Sequence, residues 1–221
     1  MKRFVTFTLI ALTTLLATSC RKATLRGHGN IESETRDLST FSAIVASGST
    51  DIEVFPSSEN KVIVTGYANL VPIYRTEVRG NTLYLDFEPE YWNVMNNNIK
   101  ITLYTTDMNA VRLSGSGKVH IHEGLAANTM EIDISGSGDV TVEDNEFDTF
   151  QCKVSGSGAV NARYAVCDEV YAEISGSGDL DITVNELLEA KISGSGSIDY
   201  WGTPEVVNTD ISGSGKVTKK N

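Results

Sequence analysis

The chain has 221 residues, of which 40% are hydrophobic and 21% charged, and carries a formal net charge of −11. That is enough for one domain with a core of its own. So acidic a balance lacks the basic footprint that phosphate backbones demand, which makes nucleic acid a poor partner. Beyond the N-terminus no stretch is long and apolar enough to span a bilayer.

Residues 1–19 read as a secretion signal. Lys2 and Arg3 form the positive end, Phe4 to Ala17 the apolar stretch, and Ala17-Thr18-Ser19 puts small residues just before Cys20. A cysteine there resembles the lipobox of bacterial lipoproteins, with Ala17 standing where that pattern prefers Leu. The resemblance implies cleavage that leaves Cys20 acylated at the new N-terminus. Ordinary signal cleavage beside an unrelated cysteine is the alternative. Cleavage would leave 16 basic against 29 acidic residues, a charge of −13. The lipid, rather than surface charge, would then hold the chain to a membrane. The expected location is the outer membrane, on either its periplasmic or its outer side.

Residues 20–26 read as an anchored cysteine with a short tether, and 27–218 as one all-β domain. Its first part, 27–110, is irregular. Phe41 to Phe55 is strand, corner, strand, with Ile44, Ala46, Ile52 and Val54 at alternate positions. Lys61 to Thr65 is β-rich, and Ile73–Val78 and Thr82–Phe87 flank Arg79-Gly80-Asn81 as a hairpin. A polar loop, 91–98, carries Tyr91 and Trp92, and Ile99–Thr105 alternates again. No segment has a convincing helical period.

Residues 111–218 repeat. Ser-Gly-Ser-Gly begins at Ser114, Ser135, Ser155, Ser175, Ser193 and Ser212, with a worn copy at Ser47-Gly48-Ser49. Such a period marks a stacked architecture whose units cannot bury an apolar face alone. One residue before each motif stand Leu113, Ile134, Val154, Ile174, Ile192 and Ile211; three before stand Val111, Ile132, Cys152, Ala172, Ala190 and Thr209. Strand side chains alternate with period two, so both columns face one interior. The column between them reads Arg112, Asp133, Lys153, Glu173, Lys191, Asp210, changing sign at every step. Neighbours on adjacent strands lie about 4.8 Å apart, so this alternation favours direct rung-on-rung stacking. The expected fold is a single-stranded parallel β-helix, a β-solenoid of about 20-residue coils with the repeated part roughly 30 Å tall. The glycines mark its corner, the motif serines are expected to stack as hydroxyl ladders, and Lys216, Lys219 and Lys220 guard its last coil.

The Gly-x-Gly-Asn-Ile opening at Gly27, the Glu34/Arg36/Leu38/Phe41 run, Asn69-Leu70-Val71-Pro72-Ile73 leading to Thr76-Glu77-Val78, and the repeated Ser-Gly-Ser-Gly resemble the auto-transporter adhesin head GIN domain family, common in exported lipoproteins of Bacteroidetes. The resemblance covers nearly all of 27–218. It implies an exported parallel β-helix with an adhesin-like role and brings no catalytic residue to carry over.

Candidate sites are few. By column alignment Asp181 and Asp199 are neighbours on successive coils, with Asp179 two residues along on the same face. Stacked carboxylates must be solvated, hold a cation such as calcium, or have perturbed pKa values. Calcium at every turn is excluded, because the residue after the motif runs Lys118, Asp139, Ala159, Asp179, Ser197, Lys216. Tyr200 and Trp201 beside these aspartates could make a glycan platform or simply pack. His120 and His122 point outward from one strand, but no third ligand is visible and no metal is assigned. Cys152 and Cys167 are a disulfide or two buried thiols. No nucleophile–base pair is visible and no catalytic residue is assigned, so the leading expectation is a lipid-anchored binding scaffold with an unknown protein or glycan partner, not an enzyme and without cofactor. The alternative is a carbohydrate-binding or carbohydrate-active protein working from the acidic face.

Overall fold

The computed structural model describes residues 24–91 and 93–221. The signal segment, Cys20 and Trp92 lie outside the described residues. Nineteen strands among the described residues account for nearly all the regular structure, with one 3-10 turn at Val71–Ile73.

The repeats stack as their columns require. In the first limb of each coil, β10 (Ala110–Gly115), β12 (Thr129–Gly136), β14 (Glu146–Gly156), the later halves of β15 (Ala159–Gly176) and β16 (Asp179–Gly194), and β18 (Val206–Gly213) pair in parallel with every motif serine in register. In the second limb β11 (Lys118–Ile121), β13 (Asp139–Val142), the first halves of β15 and β16, β17 (Ser197–Trp201) and β19 (Lys216–Lys219) do the same. Each coil is too thin to bury anything alone. Stacking brings Ile134, Val154 and Ile174 to 0% exposure, and each such side chain contributes about 1.5–3 kcal/mol by leaving water.

The corner explains the tetrapeptide. Gly156 has φ +133°, and a Cβ there would overlap the carbonyl oxygen of Gly136 on the coil before. The space saved lets Ser157 N–H donate to Gly136 O at 2.9 Å and Ser177 N–H to Gly156 O at 2.8 Å. The rungs are thus backbone bonds. No hydroxyl–hydroxyl bond joins motif serines among the described residues, contrary to the ladder expected from the sequence: a serine oxygen is not needed where the main chain already spans the gap.

The worn copy is the first coil. β3 (Ala43–Gly48) pairs with β10 and β4 (Asp51–Pro56) with β11, both parallel. Beneath them β7 (Thr82–Phe87) and β9 (Lys100–Thr105) continue the parallel stack. The direction then reverses: β6 (Tyr74–Arg79) pairs antiparallel with β7, and β5 (Lys61–Tyr67) with β9 and with β2 (Ile31–Asp37). The irregular half therefore closes one end of the stack. Arg36 pins this closure, donating to Val71 O at 2.8 Å, Tyr74 O at 2.6 Å and Thr76 Oγ1 at 3.1 Å.

The tether is shorter than its sequence indicated. Residues Thr24–Arg26 form strand β1, paired in parallel with β8 (Asn93–Met95), because Leu25 packs against the core beside Val94. Cys152 and Cys167 are both free and buried. Burial pushes each thiol up to about 12.

Candidate functional site: one face with two ionic clusters

The second limbs present a single outward face. Six residues after each motif serine, Glu53, His120, Thr141, Asn161, Asp181 and Asp199 follow one another in register from coil to coil. Groups that can hold charge gather at the two ends of this column, separated by the neutral Thr141 and Asn161.

The late cluster contains the aspartates singled out from the sequence. Asp181 lies opposite Asp199, as the columns require. Their repulsion is answered from within the chain, since Lys220 Nζ stands 2.7 Å from Asp199 Oδ2. Asp179 accepts from Ser197 N at 3.2 Å and from Ser197 Oγ at 2.5 Å. Asp181 has no such partner among the described residues. Burial first, then the charges of Asp199 and Asp179, raise its pKa above the ordinary carboxylate range, with Lys220 and Arg163 opposing. The two aromatics are parted by strand parity. Trp201 is on the outward side, with the Arg163 guanidinium 4.4 Å from its ring centre, a cation–π arrangement. Tyr200 is in the inner column opposite Ile182 and packs on the core. The platform expected beside the aspartates therefore has one ring rather than two.

The early cluster contains the two histidines and two carboxylates that the sequence reading did not connect to them. Glu53 lies opposite His120 from β4, and Glu143 follows β13 on the next coil. His120 Nδ1 is 3.2 Å and His122 Nε2 2.8 Å from the same oxygen, Glu53 Oε2. The other nitrogen of each ring faces Glu143: His120 Nε2 is 2.8 Å from Oε1 and His122 Nδ1 3.3 Å from Oε2. The rings lie 4.3 Å apart, and Phe55 stacks on His122 at 4.0 Å. Buried Asn145 ties the backbone beneath them, donating to His122 O at 3.3 Å and Glu143 O at 3.2 Å. Burial pushes the Glu143 carboxyl up. The Glu123 amide and the two imidazoles outweigh this and hold it below the usual carboxylate range. Extending the motif register back to Ser47 was the available signal: it puts Glu53 in the His120 column and Glu143 in the His122 column.

The first-limb face is different. Its charged columns flank a shallow trough lined by Glu131, Asp133, Gln151, Lys153, Tyr171 and Glu173. Lys153 meets Glu173 at 3.7 Å as the alternation requires, whereas Arg112 reaches diagonally to Glu131 at 3.0 Å rather than to Asp133. No helix among the described residues is long and apolar enough to cross a membrane.

Comparison with known proteins agrees with this architecture. A "putative adhesin" from Bacteroides fragilis has a similar structure, with a TM-score of 0.71 at 23% identity, covering 89% of this chain and 100% of that one. A "putative adhesin" from Parabacteroides merdae gives 0.64 at 19% identity, covering 90% and 99%. A "putative lipid binding protein" from Parabacteroides distasonis gives 0.58 at 25% identity, covering 90% and 100%. No curated protein matches the chain. Residues 40–204 match the family model described as "Putative auto-transporter adhesin, head GIN domain", and the chain belongs to that family.

Proposed function

We propose that the chain is exported, acylated at Cys20 and held to the outer membrane, where its solenoid serves as a non-catalytic binding scaffold for an envelope protein or glycan. The observation that carries this reading is the pair of long outward faces, each built from in-register strands that set equivalent residues one above another from coil to coil. Such faces are pre-ordered, so a partner binding to them costs little loss of flexibility. Family membership supports the adhesin-like role, and the signal-like N-terminus supports export. The lipid-binding name of the Parabacteroides distasonis neighbour adds an envelope lipid to the partners worth testing. The interior is filled with side chains, so any such ligand would meet the outer faces.

A carbohydrate-binding or carbohydrate-active site at Asp179, Asp181 and Asp199 is the second reading. It is favoured by the raised pKa of Asp181 and by the Arg163–Trp201 pair beside it. The two readings separate on Asp181→Asn/Asp199→Asn. A carbohydrate site loses binding or turnover of its polysaccharide, while a scaffold that binds elsewhere keeps its partner. The anchor is tested by Cys20→Ser and cell fractionation: the variant leaves the membrane fraction, and a variant that stays there overturns the lipid anchor.

A further inference from the structure

We infer that Glu53, His120 and His122 form a binding site for one late first-row divalent metal ion of the Zn²⁺ type, with Glu143 orienting the His120 imidazole. This goes beyond the scaffold reading and stands whichever partner the faces bind.

The geometry carries it. One ligand atom from each of the three residues falls within a cluster no wider than 4.8 Å. Two of its edges, from His120 Nδ1 and from His122 Nε2 to Glu53 Oε2, measure 3.2 and 2.8 Å. Metal–ligand bonds of 2.0–2.1 Å give ligand–ligand edges of roughly 2.9–3.4 Å in octahedral or tetrahedral geometry. An ion therefore fits with only small movements of side chains that are already half-buried.

The proton position on His120 agrees. A neutral imidazole has one N–H and one lone pair. Glu143 Oε1 accepts from His120 Nε2–H at 2.8 Å, and Glu53 Oε2 accepts from His122 Nε2–H at 2.8 Å. His120 Nδ1 is then left as a lone pair 3.2 Å from Glu53 Oε2. A cation would take the place of the proton between His122 Nε2 and Glu53 Oε2, with that ring's proton held instead on Nδ1, 3.3 Å from Glu143 Oε2. A carboxylate holding the far nitrogen of a ligating histidine is the usual outer support of such sites, and Glu143 supplies it to His120.

The site is also built rather than incidental. Its donors come from two successive coils and Glu143 from a third, Phe55 fixes the plane of His122, and Asn145 binds the main chain of His122 and Glu143 together. Nitrogen donors select late transition ions over Ca²⁺ or Mg²⁺. Three protein ligands leave the remaining positions open to water or to a donor from a partner. An ion held here links the capped first coil to the repeats.

The test is titration of the full chain, purified without a polyhistidine tag and stripped with a chelator, with Zn²⁺ alone. Calorimetry gives the stoichiometry and NMR follows the ring signals of the three histidines. One equivalent should bind and shift the His120 and His122 signals while His28 stays in place. His120→Asn/His122→Asn should abolish binding. Glu143→Gln, a surface change compatible with folding, should weaken it about 10- to 100-fold. Absence of binding, binding that leaves both rings unmoved, or undiminished affinity in a folded double variant or in Glu143→Gln would overturn the inference.

Discussion

The two ends of the stack are finished in different ways. At the first end the parallel ladder of β7 and β9 is covered by antiparallel strands, and Arg36 binds three carbonyl or hydroxyl oxygens of the covering segment. At the last end β18 is exposed along its whole length, with Val206 45%, Val207 40% and Ile211 41% accessible. Only the neighbouring limb carries Lys216, Lys219 and Lys220, the charge that discourages another strand from adding. The difference teaches that one sequence can stop a solenoid by reversing the chain or by charge. Only the reversal contributes a core.

The interior should be far less tolerant than either end. The largest expected effect is at the corner. Gly156→Ala combines a forbidden φ with overlap on Gly136 O and should cost about 4 kcal/mol. Gly48→Ala in the first coil has the same sign of φ but open space around its Cβ, and should cost about 1–2 kcal/mol. Equal losses in chemical denaturation would show that close approach is not what the corner requires. Next comes the closed end, where Arg36→Ala leaves the Val71 and Tyr74 carbonyls without their donor and should cost about 1–3 kcal/mol. Val206→Ala at the open end should cost under about 0.5 kcal/mol; a larger loss would mean that the end is covered in solution.

The smallest effect concerns Asp181. Its folded pKa lies above the unfolded value, so the folded state holds the proton more tightly and ionisation works against folding. The penalty is absent well below about pH 3.9, grows as pH rises through the ordinary carboxylate range to the raised value, and is constant above it. Asp181→Asn should therefore stabilise the protein by a few tenths of a kcal/mol at pH 7, given the solvent exposure, and by nothing near pH 3. A loss of stability at pH 7 would contradict this.

The repeat made the later half legible because every coil solves the same problem at the same corner, so columns could be read as neighbours. The charge alternation from Arg112 to Asp210 gave the register, and the register placed Asp181 on Asp199. The first half resisted because its strands pair across reversals: nothing local tells β5 that its partners are β2 and β9. Tyr200 was misplaced beside the aspartates although parity with Asp199 puts it inward. The histidine cluster went unassembled for the opposite reason. Its columns were readable, but its carboxylates lie on coils flanking the histidines, one of them marked only by the worn Ser47-Gly48-Ser49.

The most direct test of the scaffold account is to incubate the purified protein with a panel of envelope glycans, lipids and proteins, measuring both retention and chemical change. The account predicts saturable retention of a partner that is recovered intact, lost when outward residues of one face are replaced and kept when Gly48 is changed. Steady conversion of a glycan or lipid, abolished by Asp181→Asn/Asp199→Asn, would contradict it and make the acidic face an active site.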